Sequence, residues 1–203
     1  MHDPGCATAL ASDKDALART LGAAFRGYPL TEWLVGSRPG GRQRRERYFG
    51  LLLDDALRRG VVLRDAESKA VAIWYPPGVW EIGVGDFLRT LPDWLRIVGV
   101  RALPGRLRAL SELVKERPTA EGTATGRAWV LEVLGVDPDA QRTGRGSRLL
   151  EAGLARARED GAGAFLLTSS EDAIPFYERH GFVVEKAFAV RGGPSMWTLC
   201  REP

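Results

Sequence analysis

The run Gln141-Arg142-Thr143-Gly144-Arg145-Gly146-Ser147 holds residue types suited to binding an anion. It follows an apolar stretch at Leu131–Val136 and opens an amphipathic one that ends near Asp160, which predicts a strand, a glycine-rich turn and a helix start. Gly144 and Gly146 lack a Cβ, so the backbone there can take positive φ and approach a ligand closely. The first N–H groups of the helix have no partner within it. A diphosphate can fill that gap, helped by the helix dipole and by Arg142 and Arg145. Turns with two glycines also occur without ligands, so the run needs support from elsewhere in the chain.

Glu132 is a second residue with chemical potential. It interrupts the apolar strand, and a carboxylate on a mostly buried strand is costly unless it is paired or faces a cleft. Two readings stand side by side: a proton acceptor at a cleft, or one half of a structural salt bridge with an arginine.

A further apolar strand, Ala164–Thr168, precedes Ile174-Pro175-Phe176-Tyr177-Glu178-Arg179-His180-Gly181-Phe182. Q-x-x-G-x-G after a V-D-P turn, then F-Y-E-R-x-G-F after the next strand, resemble the GCN5-related N-acetyltransferase (GNAT) superfamily. The resemblance is specific from Trp129 to about Val184 and looser over the whole chain. It implies an α/β (α+β) fold with a mixed, mostly antiparallel central sheet, splayed between its fourth and fifth strands and covered by helices on both faces. It also implies acetyl-CoA as cosubstrate and direct attack by an amine in a ternary complex.

Site roles follow from the same resemblance. The backbone from Gln141 to Ser147, with Thr143 between, cradles the phosphates. Leu134, Gly135 and Val136 offer main-chain hydrogen bonds to the pantetheine, which lies between the splayed strands as an added strand would. Gly135 suggests a bulge that aims an N–H at the thioester oxygen. Tyr177 stands in the place of the general acid that protonates the departing thiolate. Glu132 stands where relatives often hold an acid that works through a water. Phe176 faces a different direction from Tyr177 and is expected to pack at the cofactor site. Ser170 occupies a position where many members have an asparagine that holds the pantetheine. A hydroxyl reaches less far, though Ser169 and Ser170 together can replace it.

Tyr28 and Trp33 follow the first helix, where the family's acceptor pocket lies, and Glu32 can attract a cationic amine. The expected acceptor is the primary amine of a small cationic or aromatic-bearing molecule, such as an aminoacyl nucleoside or an amino-sugar antibiotic. A protein or peptide amine and a longer acyl chain are alternatives within enzymes. A non-catalytic acyl-CoA sensor is the alternative of another class.

Composition narrows the field. The 203 residues suit one domain spanning 1–203, and 44% hydrophobic with 27% charged residues is ordinary globular usage. No apolar stretch is long enough to cross a bilayer, and Met1-His2-Asp3-Pro4 lacks a secretory pattern, so a cytoplasmic protein with no membrane partner is expected. Cys6 and Cys200 match no metal or redox spacing, and no metal is expected; both read as free thiols. The net charge of +3 is carried by dispersed arginines. The cluster Arg42-Gln43-Arg44-Arg45-Glu46-Arg47 runs into Tyr48-Phe49 with helical spacing, which favours a solvated helix face over a nucleic-acid surface. A monomer or homodimer is expected.

The elements that position these residues are legible in outline. Cys6–Ala11 reads as a strand, and Ser12-Asp13 as the cap of a helix that Tyr28-Pro29 ends. After a loop at Gly36–Gly41, a second helix should stop at Gly60. Val61–Arg64 and Ala70–Tyr75 form a strand pair, with Trp74 facing the core. An insertion at about 80–118 reads as two helices, Gly85–Val100 and Arg106–Glu116, that wall the substrate or cover the sheet. Pro118–Gly126 reads as a mobile polar connection. Trp129–Val136 is the central strand, Ser147–Glu159 a helix capped by Gly161, and Phe165–Thr168 the next strand. Ala173–His180 is a short helix, with His180 as its cap, and Phe182–Val190 pairs with Ser195–Cys200.

Overall fold

The computed structural model describes residues 5–36, 40–79, 84–115 and 127–203. Seven strands form one sheet: β1 (Cys6–Thr8), β2 (Val61–Asp65), β3 (Ala70–Tyr75), β4 (Ala128–Val136), β5 (Gly163–Thr168), β6 (Val183–Ala189) and β7 (Ser195–Arg201). Their order is β1-β2-β3-β4-β5-β7-β6; β4 and β5 run parallel and the other neighbours antiparallel. The helices are α1 (Lys14–Ala24), α2 (Pro29–Val35), α3 (Gly41–Arg59), α4 (Val84–Val98), α5 (Leu103–Lys115), α6 (Arg145–Glu159) and α7 (Ile174–Glu178).

Strand alternation sorts side chains onto two faces. Val71, Ile73 and Tyr75 join Val62, Val130 and Val133 beneath α1 and α3. Ala70, Ala72 and Trp74 face the other way and meet Leu149, Leu150 and Leu154 of α6. Burial on both faces explains why β3 reads as an unbroken apolar run. Trp74 is fully buried, as its place in the alternation predicts.

The parallel pairing of β4 with β5 runs from Ala128↔Gly163 to Leu131↔Leu166 and stops there. Yet β4 continues to Val136 and β5 to Thr168. The sheet therefore splays between its fourth and fifth strands, and the main chain of Glu132–Val136 presents an edge with no strand beside it.

A bulge precedes that edge. Ile73 pairs with Val133 and Trp74 with Leu131, so Glu132 is the extra residue. The bulge expected at Gly135 is thus three positions off, and Gly135 pairs regularly with Val71. Gly135 is needed for another reason: a Cβ there would lie 2.7 Å from Leu21 Cδ2 and 2.9 Å from Phe25 Cε2, so its absence lets α1 rest on the sheet.

Pro29 both stops and starts a helix. Tyr28 is extended, at φ −71° and ψ 124°, as a residue before proline should be, and Pro29 opens the unexpected α2. The first strand is shorter than expected, ending at Thr8. The two insertion helices are present as α4 and α5, whereas the connection expected at Pro118–Gly126 lies outside the described residues, as does Trp80. α5 places Ala109 and Leu113 against Val190 and Met196, with Trp33 and Leu167 packed alongside.

On α3, Asp55 receives two hydrogen bonds from Arg59, both 2.8 Å, and one from the Tyr75 hydroxyl at 2.7 Å. Burial alone would raise its pKa, but these donors outweigh it and hold the carboxyl below its ordinary value. A depressed folded pKa stabilises the protein above the unfolded pKa, and the gain is lost as pH falls through the folded value. Asp55→Asn should cost about 1 kcal/mol near neutrality, a figure already discounted for partial solvent exposure. In urea titrations the gap between variant and wild type should narrow below about pH 4; a gap independent of pH would contradict this assignment.

Candidate active site

A cleft of about 660 Å³ opens where β4 and β5 part. Its walls come from the end of α1 (Ala24, Phe25), Tyr28, β4 from Leu131 to Val136, the loop into α6, the end of β5, and α7.

The anion end is built by the loop after β4. Asp137 accepts the Asp139 N–H at 3.0 Å and folds a 3-10 turn over Pro138–Ala140. Thr143 donates to the Ala140 carbonyl at 2.6 Å, and Gln141 donates its side-chain amide to the Val136 carbonyl at 3.2 Å. Arg142 and Gly144 take φ of 60° and 78°, the left-handed region. The first turn of α6 closes with Arg148 N–H to the Gly144 carbonyl, and Gly144 offers no side-chain cap. The N–H groups of Arg145, Gly146 and Ser147 thus have no acceptor within the helix. A Cβ on Gly146 would stand 3.4 Å from Val136 Cγ2, so glycine allows the tight seat of α6 on β4.

Arg145 does not act as expected from its type. Its guanidinium donates to Asp65 and, at 2.9 Å, to Glu67, so its charge is matched away from the helix axis. Arg142 is exposed at the loop and Arg179 at the rim of α7.

Tyr177 stands on the opposite flank, its ring 5.2 Å from that of Phe176 and 5.9 Å from that of Phe182. Burial first, then the neighbouring Tyr28, push its phenol above the ordinary range. Phe176 turns toward Gly146 and stacks on His180, whose Nδ1 lies 2.8 Å from the Phe176 carbonyl and caps the helix. Glu132 lines the cleft from the bulge. Its carboxylate is near enough to Tyr75 to raise that phenol's pKa, behind burial and the hydrogen bond to Asp55.

A hydroxyl cluster missed in the sequence holds the acceptor side. Tyr28 Oη accepts the Ser169 N–H at 2.8 Å and lies 3.1 Å from Thr168 Oγ1. Ser169 Oγ accepts the Leu30 N–H at 3.0 Å, which docks α2 on the end of β5. Thr168 Oγ1 accepts the Ser170 N–H at 3.2 Å, and Ser170 faces the cleft. The repeated hydroxyls in Thr168-Ser169-Ser170 were the available signal.

Of the acceptor residues expected, Tyr28 alone lines the cleft. Trp33 points away: its indole donates to the Gly192 carbonyl and Arg106 stacks 3.7 Å over its ring. Glu32 accepts the Gly27 N–H at 3.0 Å and pairs with Arg45 at 3.3 Å, which fixes the bend between α1 and α2. Among the described residues no group of three His, Cys, Asp or Glu could hold a metal, and no helix is long and apolar enough to cross a membrane.

Parted parallel strands with an uncapped helix N-terminus at one end and a phenol at the other define a cleft for an elongated ligand with an anionic tail. Residues 119–197 match the model of the acetyltransferase (GNAT) domain, so the chain carries a GNAT acetyltransferase domain and is an acyltransferase of the N-acetyltransferase type. The fold is shared with a "histone acetyltransferase HPA2 and related acetyltransferase" from Corynebacterium glutamicum (21% identity, 98% of this chain and 96% of that one, TM-score 0.71). It is shared also with arylalkylamine N-acetyltransferase 2 from Aedes aegypti (14%, 97% of each chain, 0.62). A polyamine N-acetyltransferase from Drosophila melanogaster gives 15%, 98% and 99%, and 0.59.

Proposed function

We propose that this protein transfers an acetyl group from acetyl-CoA to the primary amine of a small molecule, by direct attack in a ternary complex. The observation that carries the reading is the parting of β4 from β5 after Leu131↔Leu166, which leaves a main-chain edge leading to the free N–H groups of α6. That edge suits the amides of a pantetheine arm, and the helix start suits a diphosphate. Acetyl-CoA, when bound, supplies an activated thioester.

This chain's residues then divide the work. Main-chain groups of Leu134, Gly135 and Val136 orient the arm, and the amides of Arg145, Gly146 and Ser147 hold its anionic end. Glu132 takes the amine's proton as nitrogen bonds to the carbonyl carbon. Tyr177 gives its proton to sulfur as the carbon–sulfur bond breaks. The sum is one amide and one thiol from one amine and one thioester.

The acceptor end is apolar and aromatic, with Phe25 and Tyr28 edge-to-face at 4.9 Å and Glu132 the carboxylate beside them. That pairing suits an amine joined to a ring. The chain also resembles puromycin N-acetyltransferase in Ala24-Phe25-Arg26-Gly27-Tyr28-Pro29 and in Ile174-Pro175-Phe176-Tyr177-Glu178-Arg179, which directs attention to aminoacyl nucleosides and other antibiotic amines.

Thiol release from acetyl-CoA, measured over aminoacyl nucleosides, amino sugars and arylalkylamines, tests the reading. At least one should be acetylated with kcat of about 1 s⁻¹ or more. Acetylation confined to protein termini or lysines moves the assignment to a protein-modifying enzyme, and coenzyme A binding without any turnover moves it to a sensor.

A further inference from the structure

The turn between β2 and β3 is tied to three elements that build the cleft. Asp65, at the end of β2, is 3% exposed, and its Oδ1 accepts the N–H groups of Lys69 at 2.7 Å and Ala70 at 2.9 Å. Its Oδ2 accepts from Nη1 of Arg145, the first residue of α6, while Nη2 of Arg145 reaches Glu67 at 2.9 Å. The Ser68 carbonyl accepts from Thr20 of α1 at 2.7 Å. The Lys69 carbonyl accepts the Asp137 N–H, in the loop from β4 to α6, at 2.8 Å.

Resting on the reading of acetyl-CoA as donor, we propose that Asp65 is a positioning residue for the diphosphate. It acts through Arg145. The first turn of α6 has no side-chain cap and is entered through a left-handed glycine, so nothing local holds its N–H groups in place. The ion pair with Asp65 pins the start of that turn to the sheet, and the Asp137–Lys69 bond pins the loop before it. Since two carboxylates engage Arg145, its positive charge is matched there, and attraction for the ligand falls to the main-chain amides and Arg142. Asp65→Asn keeps an oxygen for the N–H groups of Lys69 and Ala70 but loses the charge that holds Arg145.

Calorimetry with coenzyme A, adenosine 5′-diphosphate and pantetheine separates the ends of the ligand. In Asp65→Asn the Kd for coenzyme A and for adenosine 5′-diphosphate should each rise about 10-fold, with pantetheine affinity unchanged, as expected when a supporting residue behind one subsite is lost. Unchanged or tighter binding of coenzyme A overturns the proposal, as does equal weakening of both fragments or wild-type protein that binds coenzyme A but not the diphosphate. Wild-type protein that binds no coenzyme A overturns the donor reading itself. If Asp65→Asn does not fold by circular dichroism, Arg145→Gln removes the charge from the other side of the pair. The same selective loss at the diphosphate end is then expected, and its absence overturns the proposal.

Discussion

Tyr177→Phe should lower kcat about 100-fold while coenzyme A affinity stays within about 2-fold. The phenol lies across the cleft from β4, and burial with the nearby Tyr28 lifts its pKa above the ordinary tyrosine range. A raised pKa keeps the proton on oxygen throughout the working range, so the group is always poised to donate. For the same reason, no alkaline fall in kcat below about pH 10 should trace to this residue. The loss is moderate because a thiol with pKa near about 8.5 is already a fair leaving group. Steady-state rates with saturating acetyl-CoA, set beside calorimetry, measure both quantities. A change in kcat of less than about 3-fold would remove Tyr177 from the chemistry and leave it a packing residue.

The largest effect on stability is expected at Gly153→Ala. Gly153 is buried on the face of α6 that meets the sheet, and a Cβ there would stand 2.6 Å from Trp74 Cζ2 and closer still to Cε2 and Nε1. Trp74 is fully buried and its indole N–H has no hydrogen-bond partner, so the ring is held by packing alone. Alanine favours a helix over glycine by about 1 kcal/mol, but overpacking against a large immobile ring should exceed that and give a net loss of about 3 kcal/mol. Urea unfolding measures it. Trp74→Phe in the same chain should recover at least about 1 kcal/mol as a coupling energy. Additive effects would mean that α6 shifts instead of meeting the ring.

Much of this arrangement is legible in the sequence where local physics decides it. The glycines of the loop into α6, the apolar runs of β3 and β4 and the aromatic segment at α7 announce themselves within a few residues of one another. What escapes depends on partners far along the chain. Trp33 has the type and place of a pocket aromatic beside Tyr28, but its direction is set by Arg106 and Gly192. Arg145 has the type of a phosphate ligand because its neighbours are loop residues, and Asp65 and Glu67 are invisible at that range. Gly135 misleads because a small residue in a strand can mean either a bulge or a close neighbour, and only the position of α1 tells which. Pro29 misleads because one residue is compatible with both an ending and a beginning.

The extra residue in β4 has a consequence for how the chain can change over time. Before it, Ala128 and Val130 share one side with α1 and α3; after it, that side belongs to Val133 and Gly135, so odd and even numbers trade places. Deleting Glu132 would restore an uninterrupted ladder yet invert the parity of everything downstream, driving the bulk of Leu134 or Val136 into the space that Leu21 and Phe25 occupy above Gly135. A lineage can therefore exchange the side chain at 132 freely by substitution, but an indel there would require both sides of the sheet to be rebuilt at once.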